Sequence, residues 1–264
     1  MLVILKRDSG EIDEQAAQIL AGAIKKKPAL TLGLATGGTM VGVYENLVRL
    51  HKTGSVDFSQ VVTFNLDEYL GLPASHPQSF RHFMQKHFFR HVNVQPGNIH
   101  IPDGSIRGNY EQYCESYEQA ICAAGGIDLQ LLGIGRNGHI GFNEPTSSLA
   151  SRTRLKVLSR ETLDDNAKSF GPGEEAPQCA ITMGIGTILK ARKILLLATG
   201  ASKAVAVVKS IEGPVTSAVS ASALQLHPDV TFLLDAPAAS RLTQREYYER
   251  VLKMTALLTP DRLS

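Results

Sequence analysis

The stretch ALTLGLATGGT, residues 29–39, decides the architecture. Residues 29–35 form an apolar run of strand length, Gly37-Gly38-Thr39 turns the chain, and a helical period runs from 39 to 52. The result is a strand–glycine–helix junction. A second copy, LATGAS at 197–202, follows the apolar run KILLLAT (193–199) and opens another helical pattern. A helix N-terminus presents free N–H groups and a partial positive charge, so each junction is either a phosphate cradle or simply a tight turn. Gly37 and Gly38 allow close backbone approach at the first, Thr39 adds a hydroxyl, and Lys203 follows the second.

Further apolar runs lie at 61–66, 127–134, 153–159 and 230–235. Helical patterns fall at 9–25, 77–91, 105–124, 161–170, 201–211 and 240–257. This alternation predicts an α/β fold with a parallel or mixed sheet covered by helices. No Pro/Ser-rich linker divides the chain, which leans towards one domain over 1–264. The most loop-like segment, FGPGEEAPQ at 170–178, marks a mobile flap expected over 158–180.

Composition narrows the function classes. The chain has 264 residues and a formal net charge of only +2, so nothing points to a nucleic-acid or membrane surface, while small anionic substrates stay open. Cys114, Cys122 and Cys179 are odd in number and lack CxxC spacing, which reads as reduced thiols. The N-terminal apolar run is too short for a signal peptide or a membrane span, and a cytoplasmic location is expected.

Two motifs mislead. GIGRNG at 133–138 is literally GxGxxG after a strand, yet HIGFNEP follows, where Gly141, Asn143 and Pro145 oppose the helix a dinucleotide needs. HFFRH at 87–91 has histidines at helical zinc spacing, but lacks the glutamate of HExxH and nominates no further ligand. No Gly-Lys-Ser/Thr occurs, which argues against kinase or ATPase chemistry.

The remaining chemistry-bearing residues sit where strands end. FNLDEYLGLP at 64–73 places Asp67 and Glu68 after a strand, and GIGRNGHIGFNEP at 133–145 places His139 and Glu144 after another. Ligands of open α/β sheets gather at such ends. A phosphate anchor, a carboxylate base and a histidine that moves protons near neutral pH suit proton abstraction beside a carbonyl in a sugar phosphate. In that scheme His139 opens the sugar ring and Asp67 removes the proton on C2. Paired acids after a strand are, however, more often helix caps than bases.

LATGGTMVGVYENL, VVTFNLDEYLGL, HPQSF, GIGRNGHIGFNEP, SLASRTRLKVL, GIGTILKARKILLLATGASKA and SALQLHPDVTFLLD together resemble the glucosamine-6-phosphate deaminase family, over residues 1–240. The resemblance implies a single-domain three-layer αβα sandwich with a mostly parallel sheet, and conversion of glucosamine 6-phosphate and water to fructose 6-phosphate and ammonia. It assigns Asp67 as the enolisation base and His139 as the ring-opening base, supported by Asn137 and Glu144. Gly37, Gly38 and Thr39 match the phosphate loop, and Lys203 a basic residue of the substrate site. Lys168 stands where some members carry arginine, so that contact loses its bidentate geometry.

Asn137 departs from the aspartate of many members: it accepts a hydrogen bond from His139 but brings no charge, which predicts a lower His139 pKa than in an aspartate-bearing relative. Ser147, Arg154 and Lys156 match positions of an allosteric site, but Val157 replaces the threonine of regulated members, so an unregulated enzyme is expected, monomer or homo-oligomer. The alternatives are a galactosamine-6-phosphate deaminase, a 6-phosphogluconolactonase and a sugar-phosphate sensor without turnover. Neither a metal nor an organic cofactor is required, since side chains and water can carry the proton transfers.

Overall fold

The computed structural model of the chain describes residues 1–171 and 173–258. The expected flap and the expected single domain extend over Pro172 and residues 259–264 respectively, which lie outside the described residues.

Strands β1 (Leu2–Lys6), β2 (Thr31–Leu34), β3 (Val62–Asn65), β4 (Asp67–Tyr69), β5 (Ile99–His100), β6 (Leu129–Leu132), β7 (Arg154–Val157), β8 (Cys179–Thr182), β9 (Lys193–Ala198) and β10 (Val230–Asp235) form two sheets. Helices α1 (Ser9–Lys26), α2 (Gly38–Lys52), α3 (Phe80–His87), α4 (Tyr110–Ala123), α5 (Arg160–Ala167), α6 (Ile185–Ile188), α7 (Ala204–Ile211) and α8 (Arg245–Leu258) cover them.

The central sheet has the order β1-β10-β9-β6-β2-β3-β5, and its pairings are parallel. β2 and β6 are buried at every position, which is why they read as continuous apolar runs rather than alternating ones. Gly33 in β2 has a packing reason: a Cβ there would stand 2.1 Å from Gln130 Oε1 on the neighbouring strand β6. The helices close the core from the sheet faces. α1 buries Ile12, Ala16, Leu20 and Ile24 at helical spacing, with Asp8 capping its first turn by accepting from Glu11 N at 3.0 Å. Truncating the fully buried Leu20 to alanine should cost about 2–5 kcal/mol.

The chain winds in opposite directions from β2 and β6, so a crevice opens outside their carboxyl ends. Both expected loops, 35–39 and 133–145, leave from there.

The structure revises several boundaries. The run 153–159 does form a strand, but in a separate antiparallel sheet, β4-β8-β7. Its residues are half-buried or exposed, so it was never a candidate for the fully covered centre. β1, β4, β5 and β8 were not read from the sequence; β4 and β5 are only three and two residues long. The helix expected at 77–91 breaks at Phe88 into α3 and a 3-10 turn over Phe89–His91. His87 and His91 therefore do not share one helix, and His87 packs on Phe83 with ring centroids 4.6 Å apart. No helix starts between residues 133 and 153, consistent with the rejected dinucleotide fingerprint. Among the described residues no helix is long and apolar enough to cross a membrane.

Candidate active site

A cavity of about 520 Å³ lies at the crevice. Its walls include Gly37, Gly38 and Thr39 after β2, Asp67 and Tyr69 of β4, Arg136 and His139 after β6, Asp165 and Asn166 of α5, and Lys203. Five of the expected residues outside the histidine's support thus converge with His139, and these six come from four separate stretches of chain.

The route of the chain after β3 aims Asp67. Leu66 N–H donates to Leu34 O at 3.0 Å, closing the central ladder, and its own carbonyl accepts from Met183 N at 2.7 Å. The chain then joins the small sheet, where Asp67 pairs with Thr182. Strand alternation puts Asp67 and Tyr69 on the cavity face and Glu68 on the other.

The two acids therefore do different work. Glu68 accepts hydrogen bonds from Tyr69 N, Ser79 Oγ, Phe80 N and Arg81 N, each at 2.9 Å, and so ties β4 to the N-terminus of α3. Asp67 is buried, and among the described residues none donates a hydrogen bond to its carboxyl group. Desolvation, with the Glu68 charge adding to it, pushes the Asp67 pKa up to about 8. A carboxyl kept neutral by burial becomes a strong base once it ionises.

His139 stands after the carboxyl end of β6. Gly135 leaves room for its ring: a Cβ on Gly135 would lie 2.3 Å from His139 Cε1. The Nδ1 atom is buried, without a hydrogen-bond partner, and 3.6 Å from Glu144 Oε2. Glu144 is itself held, accepting from Asn137 Nδ2 and from Ser159 N, both at 3.3 Å. The nearby carboxylate favours the proton on Nδ1 and leaves Nε2 as the acceptor. Burial lowers the His139 pKa; the Glu144 charge opposes this, and the Lys203 charge reinforces it. The imidazole is thus neutral near pH 7, the state in which Nε2 can accept a proton.

Asn137 does accept a hydrogen bond from His139, but from the main-chain N–H, at 3.1 Å, rather than from the ring. Its amide nitrogen is committed to Glu144, because a carboxylate accepts only. Burial is the largest cause of the lowered His139 pKa, and Asn137 brings no charge to oppose it.

The two glycine junctions also separate. Gly37 adopts φ 109°, a conformation that favours glycine, no side chain caps α2, and a Cβ on Gly37 or Gly38 would meet nothing within 4 Å. The first junction is open towards the cavity. At the second, Gly200 N–H donates to both carboxylate oxygens of Asp235, at 3.0 and 2.9 Å, so that turn is closed by the protein itself. Lys203 lines the cavity, its pKa lowered by burial.

Lys168 does not line the cavity. Its ammonium is mostly exposed and pairs with Asp165 Oδ1 at 2.7 Å. Beside Lys203, the cation that does line it is Arg136, inside the 133–145 loop but only a variable position of the GxGxxG pattern. The sequence reading also passed over the aromatic wall of Tyr69, Phe80 and Phe142, whose rings lie 4.7 to 5.8 Å apart, and Asn166, whose Nδ2 is buried without a partner. Position after a strand was the available signal for Arg136; nothing local marked Asn166.

The fold and the cavity define a doubly wound α/β protein with an acid/base crevice at the carboxyl ends of its strands. The family described as glucosamine-6-phosphate isomerases/6-phosphogluconolactonase matches residues 9–232, and the chain belongs to it. A glucosamine-6-phosphate deaminase of Shewanella loihica is 50% identical over 98% of this chain and 96% of its own length. One of Cellvibrio japonicus is 50% identical over 100% and 99%. A solved monomeric glucosamine-6-phosphate deaminase superposes with a TM-score of 0.87 at 47% identity, covering 91% of this chain and 99% of that one. A 6-phosphogluconolactonase from Trypanosoma cruzi, at 21% identity and TM-score 0.72 over 92% and 97%, shares the fold.

Proposed function

We propose that the chain is a glucosamine-6-phosphate deaminase, converting glucosamine 6-phosphate and water to fructose 6-phosphate and ammonia. The relatives of about 50% identity over nearly the whole chain support the reaction. The observation that carries it is the placement of Asp67, His139 and the open Gly37–Thr39 turn around one cavity.

In this reading the substrate phosphate sits at the N–H groups of Gly38 and Thr39 and the ammonium of Lys203. His139 Nε2 takes the anomeric hydroxyl proton and returns it to the ring oxygen, opening the sugar. Asp67 then removes the proton on C2. The substrate's 2-ammonium group, brought next to Asp67, favours the ionised carboxylate that this step needs. Glu144 steadies the imidazolium formed on the way, and Asn137 steadies Glu144.

The solved relative at 47% identity is described as monomeric, which supports a working monomer, and we place residues 1–264 in one domain whose 158–180 segment carries α5 over the cavity. The three cysteines are unpaired, which suits a cytoplasmic setting. The test is ammonia release from glucosamine 6-phosphate with Asp67→Asn as control. Release by the wild type and its loss in the variant are expected; no ammonia from folded wild-type protein overturns the reading.

A further inference from the structure

Among the described residues, Arg136 is the one cation of the cavity wall to which the mechanism gives no task. It sits between the strand-end loop and α5, half exposed, with Nε 3.5 Å from Asp165 Oδ2 and Nη2 3.8 Å from Glu161 Oε1. Both separations exceed a hydrogen bond. Asp165 is shared: its other oxygen holds Lys168 at 2.7 Å. Lys203 belongs to the same group, since the Asp165 charge raises its pKa and the Arg136 charge lowers it. Three cations, Arg136, Lys168 and Lys203, thus act on Asp165, and Arg136, Asp165 and Lys203 line the same cavity as the open turn at Gly37–Thr39.

We infer that Arg136 is a phosphate-binding residue of the sugar-phosphate site, and that the Asp165 carboxylate competes with the substrate phosphate for it. The inference rests on the deaminase reading and adds to it a specific ligand contact. A guanidinium grips a phosphate dianion through two parallel hydrogen bonds, whereas here it meets two monoanions without forming one. Lys168, turned outward on Asp165, leaves the second cationic contact to Arg136. Phosphate arrival would draw Arg136 off α5, so α5 is released or resettled as the site fills.

The opposite signs of two substitutions test this. Inorganic phosphate is titrated calorimetrically into the full-length protein, Arg136→Gln and Asp165→Asn, and KM and kcat for glucosamine 6-phosphate are measured on the same samples. Arg136→Gln should weaken phosphate binding about tenfold or more and raise KM in parallel, with kcat changed less. Asp165→Asn should tighten phosphate binding about threefold and lower KM, and combining it with Arg136→Gln should abolish that gain. Unchanged phosphate affinity in Arg136→Gln, or weaker affinity in Asp165→Asn, overturns the inference. Wild-type protein that binds phosphate but releases no ammonia would overturn the deaminase reading instead, with the calorimetric comparison still deciding the role of Arg136.

Discussion

His139 Nδ1 lies 3.6 Å from Glu144 Oε2, and Asn137 Nδ2 approaches that same oxygen to 3.3 Å. The histidine is thus served by one carboxylate whose lone pairs are shared. Glu144→Gln removes the only carboxylate in that support and should lower the His139 pKa further, with kcat falling about 10²-fold or more. An NMR titration of the ring, alongside steady-state rates, checks both. Asn137→Asp should act in the other direction on the ring by adding negative charge, and equal histidine pKa values in the two proteins would refute that.

Asp67 predicts the pH profile. With its pKa at about 8 in the free protein, the base is mostly protonated at pH 7, so kcat/KM should climb as pH rises to about 8 and then level. A profile already flat from pH 6 would contradict this.

The same group sets a pH-dependent stability. Its pKa is 3.8 when unperturbed and about 8 in the folded chain, so between those values the unfolded chain has lost a proton that the folded chain retains. Stability linked to Asp67 is full below pH 4 and drains away as pH rises to 8. Asp67→Asn, which cannot ionise, should therefore gain on the wild type across that window, by up to a few kcal/mol at pH 8. Denaturant midpoints at pH 5 and pH 8 measure it; equal differences at the two values would show that Asp67 is not a buried neutral acid.

Replacing Glu68, unlike replacing Asp67, should destabilise the fold. In Glu68→Gln one carboxylate oxygen becomes an NH₂ group facing two donors, either Tyr69 N with Phe80 N or Ser79 Oγ with Arg81 N. The expected loss is about 2–3 kcal/mol, read as a lower Tm, because α3 loses its anchor to β4.

Gly135→Ala isolates the placement of the histidine. The added methyl would enter the His139 ring, so the imidazole has to move. The fold should survive while kcat drops about tenfold or more, since small misplacement of a catalytic group is costly. Circular dichroism and turnover on one sample separate the two effects.

The central sheet was legible because its strands are coded locally. A strand covered on both faces must be apolar throughout, and the run expected at 230–235 has the bounds of β10. The junction at residues 34–39 was equally plain, since only glycine accepts φ 109° at Gly37. β1 was missed because a run of four apolar residues ended by Lys6 has no period of its own; it is a strand only through pairing with β10, over two hundred residues away in sequence.

The site divided in the same way. That Asp67, His139 and Glu144 gather at strand ends was readable from residue type and from their position after strands. Which of Asp67 and Glu68 faces the cavity, whether Lys168 or Arg136 reaches it, and how Asn137 divides its two polar atoms were not. Those outcomes depend on the chain leaving the central sheet at Leu66, on α3 offering its N-terminus to Glu68, and on α5 placing Asp165 between three cations. Sequence pattern determined the strands, the turns and the reactive groups, because backbone geometry and solvent exclusion act over neighbouring residues. Tertiary structure alone decided the direction, burial and protonation of those groups, because desolvation and charge act through space between segments that the sequence keeps far apart.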